Sequence, residues 1–285
     1  MFGIMGTSAA FAQAAGAKKA LNELRFVGST ADPVIFELSC SGDITIESIK
    51  NGAPVTATYS DITDTQVSIQ ADANTEVVIK GDVTKIAITD DAWAALTSID
   101  LQKCLSLTWL NVGGNEGLTE LDLSHNTVLQ YLNLNSTLIP AIDLSHNTEL
   151  TILDCSGNDS LTDLDLSANT ALTMLNCGGC QVLTALDVSK NTALTELNCN
   201  SCYALTTLDV SKNTALTTLY CSACAKLVSI SYPATNEDVA TAIAGAITDA
   251  ASADGTVYTD SQGAYYSTIA DAATAKGWTI EQIAA

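Results

Sequence analysis

The chain has 285 residues, room for two average domains or one elongated array. Acidic residues outnumber basic ones 32 to 11, and a formal net charge of −21 excludes holding a phosphate backbone or an anionic membrane surface. With 47% apolar and only 15% charged residues the chain can bury a core, which excludes disorder as its theme.

The first 24 residues allow two readings. MFGIMGTSAAFAQA resembles the tail half of a secretory signal, with AFA and AQA as cleavage sites, but it has no positive n-region. The other reading is a short Ala-rich helix from Ser8 to Leu24 that docks on something. No run approaches the ~20 apolar residues of a membrane span. Residues 25–95 have a different texture: VIFEL, DITIESI, VTATY, TQVSIQ and TEVVIK, separated by turn-forming Asp-Pro, Ser-Gly-Asp, Asn-Gly-Ala-Pro and Lys-Gly-Asp. Short β-rich runs of this kind predict a small sheet or sandwich that caps whatever follows.

Residues 96–235 repeat. First positions fall at Leu96, Leu107, Leu118, Leu129, Ile139, Leu150, Leu161, Leu172, Leu183, Leu194, Leu205, Leu216 and Leu227, every 11 residues except one spacing of 10 before Ile139. The fourth position is Leu or Ile throughout, the sixth Leu, Val or Cys until Tyr232, and the ninth Asn, Cys or Thr. Alternate units differ, as LTALDVSKNTA and LTELNCNSCYA show, so the full period is 22. In a strand, residues two apart share a face, so positions 4 and 6 point inward and position 5 outward. Position 9 Asn turns the chain and can satisfy buried backbone groups. One such coil cannot bury its apolar edge alone; about six stacked coils at ~4.8 Å make a continuous core roughly 30 Å long. Val83, Ile86 and Ile88 already imitate positions 1, 4 and 6, so the N-terminal sheet is expected to run straight into the first coil. Residues 236–285 change again: a helix from Asn236 to Ala250 with Thr235 or Asn236 as N-cap, a strand at GTVY, a helix from Ala264 to Lys276 stopped by Gly277, and a last strand at WTI. This α/β piece is read as a C-terminal cap.

The repeat resembles the bacterial leucine-rich repeat family, whose signature is LxxLxLxxN with Asn or Cys last. Its 22-residue units look like those of surface proteins from gut Bacteroidetes-like bacteria. The resemblance covers about half the chain. It departs from the commonest family pattern because both halves of each unit carry the signature, where the variable half normally holds a helix. The expected fold is therefore a leucine-rich repeat solenoid with two parallel β-sheets between the two caps.

Nine cysteines include three C-x-x-C pairs spaced by 22, a pattern that invites a zinc reading. The register argues otherwise. Cys155, Cys177, Cys199 and Cys221 occupy position 6, and Cys180, Cys202 and Cys224 the position 9 column, so they are expected as free, buried core thiols with no metal. His125 and His146 fall at an exposed position 8, and the serines beside them belong to a repeat column, so no catalytic site is expected.

Asp100, Asp122, Asp143, Asp165, Asp187 and Asp209 form an outward column at position 5 of one half. Stacked like charges disfavour each other by up to about 1 kcal/mol per pair, so hydrogen bonds from the Ser and Thr columns must offset them; calcium is the lesser alternative, and no other cofactor is expected. On the other half, position 3 runs Trp109, Tyr131, Ile152 and Met174, and position 5 runs Asn111, Asn133, Asp154, Asn176, Asn198 and Tyr220. Aligned large apolar side chains mark a contact surface, with the Asn amides as flanking donors and acceptors. The alternative is that Trp109 and its neighbours lie under the cap or simply stack on each other. The resemblance implies a non-enzymatic module that binds a protein or a glycan, in an extracellular or cell-surface location. The alternative is a structural component of a larger assembly, a virion or surface appendage, anchored by residues 1–24, which could oligomerise. That role would place it in a virion, or inside the cell if Met1 is the mature start.

Overall fold

The computed structural model describes residues 23–28, 34–88, 96–232, 237–250, 255–259 and 266–282. Residues 1–22 of the N-terminal arm and the N-cap of the first C-terminal helix therefore lie outside the described residues, whereas Glu23 and Leu24, expected at the end of an arm helix, begin a strand because Leu24 pairs opposite Ile79 and is buried there. In chain order the strands are β1 (Glu23–Gly28), β2 (Val34–Lys50), β3 (Ala53–Ser60), β4 (Thr65–Ile69), β5 (Glu76–Ala87) and β6 (Leu96–Asp100). There follow β7 (Trp109–Asn111), β8 (Tyr131–Asn133), β9 (Ile152–Asp154), β10 (Met174–Asn176), β11 (Glu196–Asn198), β12 (Thr207–Asp209), β13 (Thr218–Tyr220) and β14 (Ser229–Tyr232). The chain ends with α1 (Glu237–Asp249), β15 (Thr256–Thr259), α2 (Tyr266–Lys276) and β16 (Thr279–Gln282).

The repeat register holds. Positions 1, 4, 6 and 9 point into one continuous core: in the unit from Leu183, Leu183, Val188 and Asn191 are fully buried and Leu186 nearly so. The architecture is a leucine-rich repeat solenoid. On one face β7, β8, β9, β10, β11 and β13 pair in parallel, residue for residue at the 22-residue period. We call this the Asn face.

The opposite Asp face is looser. A second parallel sheet exists there, but it is ladder-bonded only from β12 onward, through β14, β15 and β16. Earlier units are extended without a ladder. The hydrogen bonds state the reason. On the Asn face each coil makes several bonds to the next, such as Leu134 N–H to Asp154 O and Cys155 N–H to Asn176 O, both at 2.8 Å. On the Asp face the coils before β12 make at most one long bond to the next, such as Thr162 N–H to Pro140 O at 3.3 Å. The coils fan apart on that side. Position 4 side chains record it: Leu132, Leu153 and Leu175 are 0% exposed, whereas Leu121 and Ile142 on the Asp face reach 9% and 8%.

Both ends merge with the array. β5 pairs in parallel with β7, setting Ile86 against Leu110, and Val83, Ile86 and Ile88 are fully buried as imitation core positions. β1 then pairs antiparallel with both β5 and β6 and so carries pairing from one face to the other. Two expected turns are absent, because Ser41-Gly42-Asp43 and Lys80-Gly81-Asp82 lie inside β2 and β5. Each strand runs through, with register shifts between the two. Gly81 makes this possible: its φ is +133°, and a Cβ there would stand 2.6 Å from Ile44 Cγ2. At the other end β14, β15 and β16 extend the Asp-face sheet. α1 replaces the next Asn-face strand, packing on β13, and the Cys221 thiol donates to Ala242 O at 3.4 Å.

Candidate functional site

The Asn-face residues expected to contact a partner share one strip. Trp109, Tyr131, Ile152 and Met174 stand in direct register on neighbouring strands, all half-buried. The Trp109 and Tyr131 rings stack, with centroids 4.5 Å apart and planes 8° from parallel. The Lys85 ammonium lies 4.4 Å from the centre of the Trp109 ring. Lys85 is itself held by Glu37 at 2.5 Å and Asp64 at 2.7 Å. Burial pulls its pKa down, but these bonds outweigh burial and hold the ammonium above its ordinary value. The row therefore stacks on itself and is capped by the N-terminal sheet, while its side chains stay partly exposed.

Beside it, the Asn column is tied to the fold. Asn111, Asn133, Asn176 and Asn198 each accept the N–H two residues on through Oδ1, at 2.9–3.2 Å. Asp154 does the same, and its second oxygen accepts Asn176 Nδ2 at 3.1 Å. The amide oxygens are thus committed to turns, a role that spacing alone did not reveal. Tyr220, 47% exposed, closes the strip on β13, five strand spacings or about 24 Å from Trp109.

The Asp column makes the same turn on the other face. Asp100, Asp122, Asp143, Asp165, Asp187 and Asp209 accept the N–H two residues on at 2.8–3.0 Å. Bonds from Ser124 and Ser145 hold the Asp122 and Asp143 carboxyls below the usual range, and the Ser167 and Ser189 N–H groups do so for Asp165 and Asp187. Neighbours in the column act the opposite way: Asp122 raises Asp143, and Asp187 and Asp143 raise Asp165. No cluster of three or more ligating side chains suited to a metal ion occurs among the described residues.

Sequence reasoning missed a groove on this face. It measures about 870 Å³ and lies across the coils that contain Asp100, Asp122 and Asp143, with Gln102, Glu120, Pro140 and Ala141 among its lining. It arises from the fanning of the coils, which no single repeat encodes.

Elsewhere the chemistry is structural. All nine cysteines are free and buried. The position 9 thiols of Cys180, Cys202 and Cys224 each donate to the position 6 carbonyl one coil back, Cys155, Cys177 and Cys199, at 3.2 Å. Those neighbouring sulfurs, and burial, push the Cys155, Cys177 and Cys199 thiols well above their ordinary pKa, and burial takes Cys104 up to about 12. Thiol titration is therefore expected to be slow until the chain is denatured, and protein purified without chelator to carry less than stoichiometric zinc. Rapid labelling of several thiols in the native state, or tight stoichiometric zinc, would overturn the core assignment. Ser124 Oγ and His125 Nδ1 do meet at 3.0 Å. Asp122 accepts the Ser124 N–H at 3.0 Å, so this carboxylate is tied to the turn and is not bonded to the imidazole.

No protein-family model matches the chain, and no curated protein matches its sequence. Solved structures do resemble it. The functional domain of InlJ from Listeria monocytogenes, described as including a cysteine ladder, is 23% identical over 75% of this chain and 56% of its own, with a TM-score of 0.36. The internalin InlF from the same organism is 17% identical over 71% of this chain and 67% of its own, with a TM-score of 0.39. A leucine-rich repeat protein from Leptospira interrogans is 13% identical over 59% of this chain and 54% of its own, with a TM-score of 0.32. The chain thus spans little more than half of the InlJ domain.

Proposed function

We propose that the chain is a non-enzymatic binding module that recognises another protein or a glycan at a bacterial cell surface through its Asn face. The observation that supports this most is the row from Trp109 to Met174. Stacked rings fixed under Lys85 lose little side-chain freedom when a partner docks, and aromatic edges with Met present a large apolar contact. No described helix is long and apolar enough to cross a membrane.

The test is to screen the immobilised chain against protein and glycan arrays and to remeasure each ligand with variants. Trp109→Ala and Tyr131→Ala are each expected to cost about 2 kcal/mol or more of binding, the range of buried aromatic anchors. Paired Asp165→Asn and Asp187→Asn changes are expected to matter little for the same ligand. Ligands that ignore the aromatic changes and are lost with the Asp changes would place recognition on the other face.

A further inference from the structure

We propose that the groove on the Asp face binds an extended segment of another polypeptide in which Lys or Arg alternates with apolar residues. Its charge has one sign. Asp100, Glu120, Asp122, Asp143 and Asp165 line it, and among the described residues no Lys or Arg does. The fold does not require those charges: the position 5 turn needs only an acceptor oxygen, and Asn111, Asn133, Asn176 and Asn198 supply it uncharged on the other face. The column charges act against one another, so a cationic occupant relieves a repulsion already present.

One feature extends the argument from any cation to a peptide. The floor is apolar: Leu121 and Ile142 show through between the fanned coils, and Pro140 and Ala141 are exposed beside them. Lys and Arg lay aliphatic stems on such surface while their heads reach carboxylates. A second copy of this chain does not fit, since with 32 acidic and 11 basic residues it would bring more negative charge than positive.

The probe is a fluorescein-labelled octapeptide of alternating Lys and Val, titrated by anisotropy against the full chain, with octalysine and spermine as competitors. The expected result is one site per chain, with the alternating peptide preferred over both competitors. The triple change Asp122→Asn, Asp143→Asn, Asp165→Asn is expected to weaken it about tenfold or more, the sum of several modest ion pairs. Asn retains the turn, and circular dichroism checks the fold. Removing three exposed charges elsewhere, Glu116→Gln, Glu149→Gln and Asp159→Asn, should change binding less than about twofold, within the reach of long-range screening. Ala141→Arg, which puts a cation in the groove, should abolish it, and Trp109→Ala should leave it unchanged, separating this site from the Asn face. Equal loss with both triple variants, several sites per chain, or spermine binding as tightly as the peptide would each overturn the proposal.

Discussion

Leu175→Asp is expected to abolish the cooperative melting of the array. Leu175 is 0% exposed and sits in register between Leu153 and Leu197, so the new carboxylate is set inside the core between two leucines. Loss of the leucine alone costs about 2–5 kcal/mol, and a buried carboxylate without a partner adds several more. That sum is comparable with the whole stability of a domain. Because each coil contacts only its neighbours, the lesion splits the array into two short stacks that each expose a raw end. Circular dichroism during heating should show loss of β signal and a broad transition. The same change one position along, at an outward site, is already tolerated by nature: Glu196 occupies the column of Met174. An unchanged melting curve for Leu175→Asp would mean that the register is wrong.

The second large effect is expected at the buried Asn ladder. Asn169 is 0% exposed and donates through Nδ2 to Leu144 O at 3.0 Å and Asn147 O at 2.9 Å. Asn126, Asn147, Asn191 and Asn213 repeat the pattern coil by coil. Asn169→Asp keeps the shape, removes both donors and points a carboxylate at two carbonyl oxygens. About 3–5 kcal/mol should be lost at neutral pH, the scale of an uncompensated buried charge. Asn169→Ala should lose less, roughly 1–3 kcal/mol for two hydrogen bonds. Asn169→Cys should be mildest, because Cys180 shows a thiol donating from the equivalent position of the other half-unit. The Asp variant carries its own signature. Burial raises its folded pKa above the unfolded ~3.9, so its deficit is present at high pH and shrinks as pH falls through the folded value. Equal melting of the Ala, Cys and Asp variants at neutral pH would show that the ladder bonds do not hold the coils together.

How much was legible in advance depends on whether a property belongs to one coil or to the stack. Leu at positions 1 and 4, and Cys155 and Cys180 as core thiols, were readable because inward and outward directions follow from backbone alternation within a single repeat. The passage from Ile86 into the first coil was readable for the same reason. The Lys-Gly-Asp turn was misread, because a glycine that ends a strand and one that lets two strands pass closely look identical until the neighbour, here Ile44, is in place. The candidate strip was readable as an alignment of Trp109, Tyr131, Ile152 and Met174, but not the Lys85 ammonium over its outer ring, since Lys85 comes from β5, outside the repeats.

The sequence by itself determined the solenoid, its period, which side chains enter the core and which two columns face solvent. All of these are set by alternation along the chain and by the fact that a single coil cannot bury its own apolar edge. Only the tertiary structure decided that the two faces differ. Ladder bonds join the coils behind Trp109 and Asn133, while few backbone bonds join them along Asp122, Asp143 and Asp165, where the coils fan apart. A groove opens on one side of a repeat whose two halves read almost alike, because spacing between coils is the outcome of forces summed over the stack.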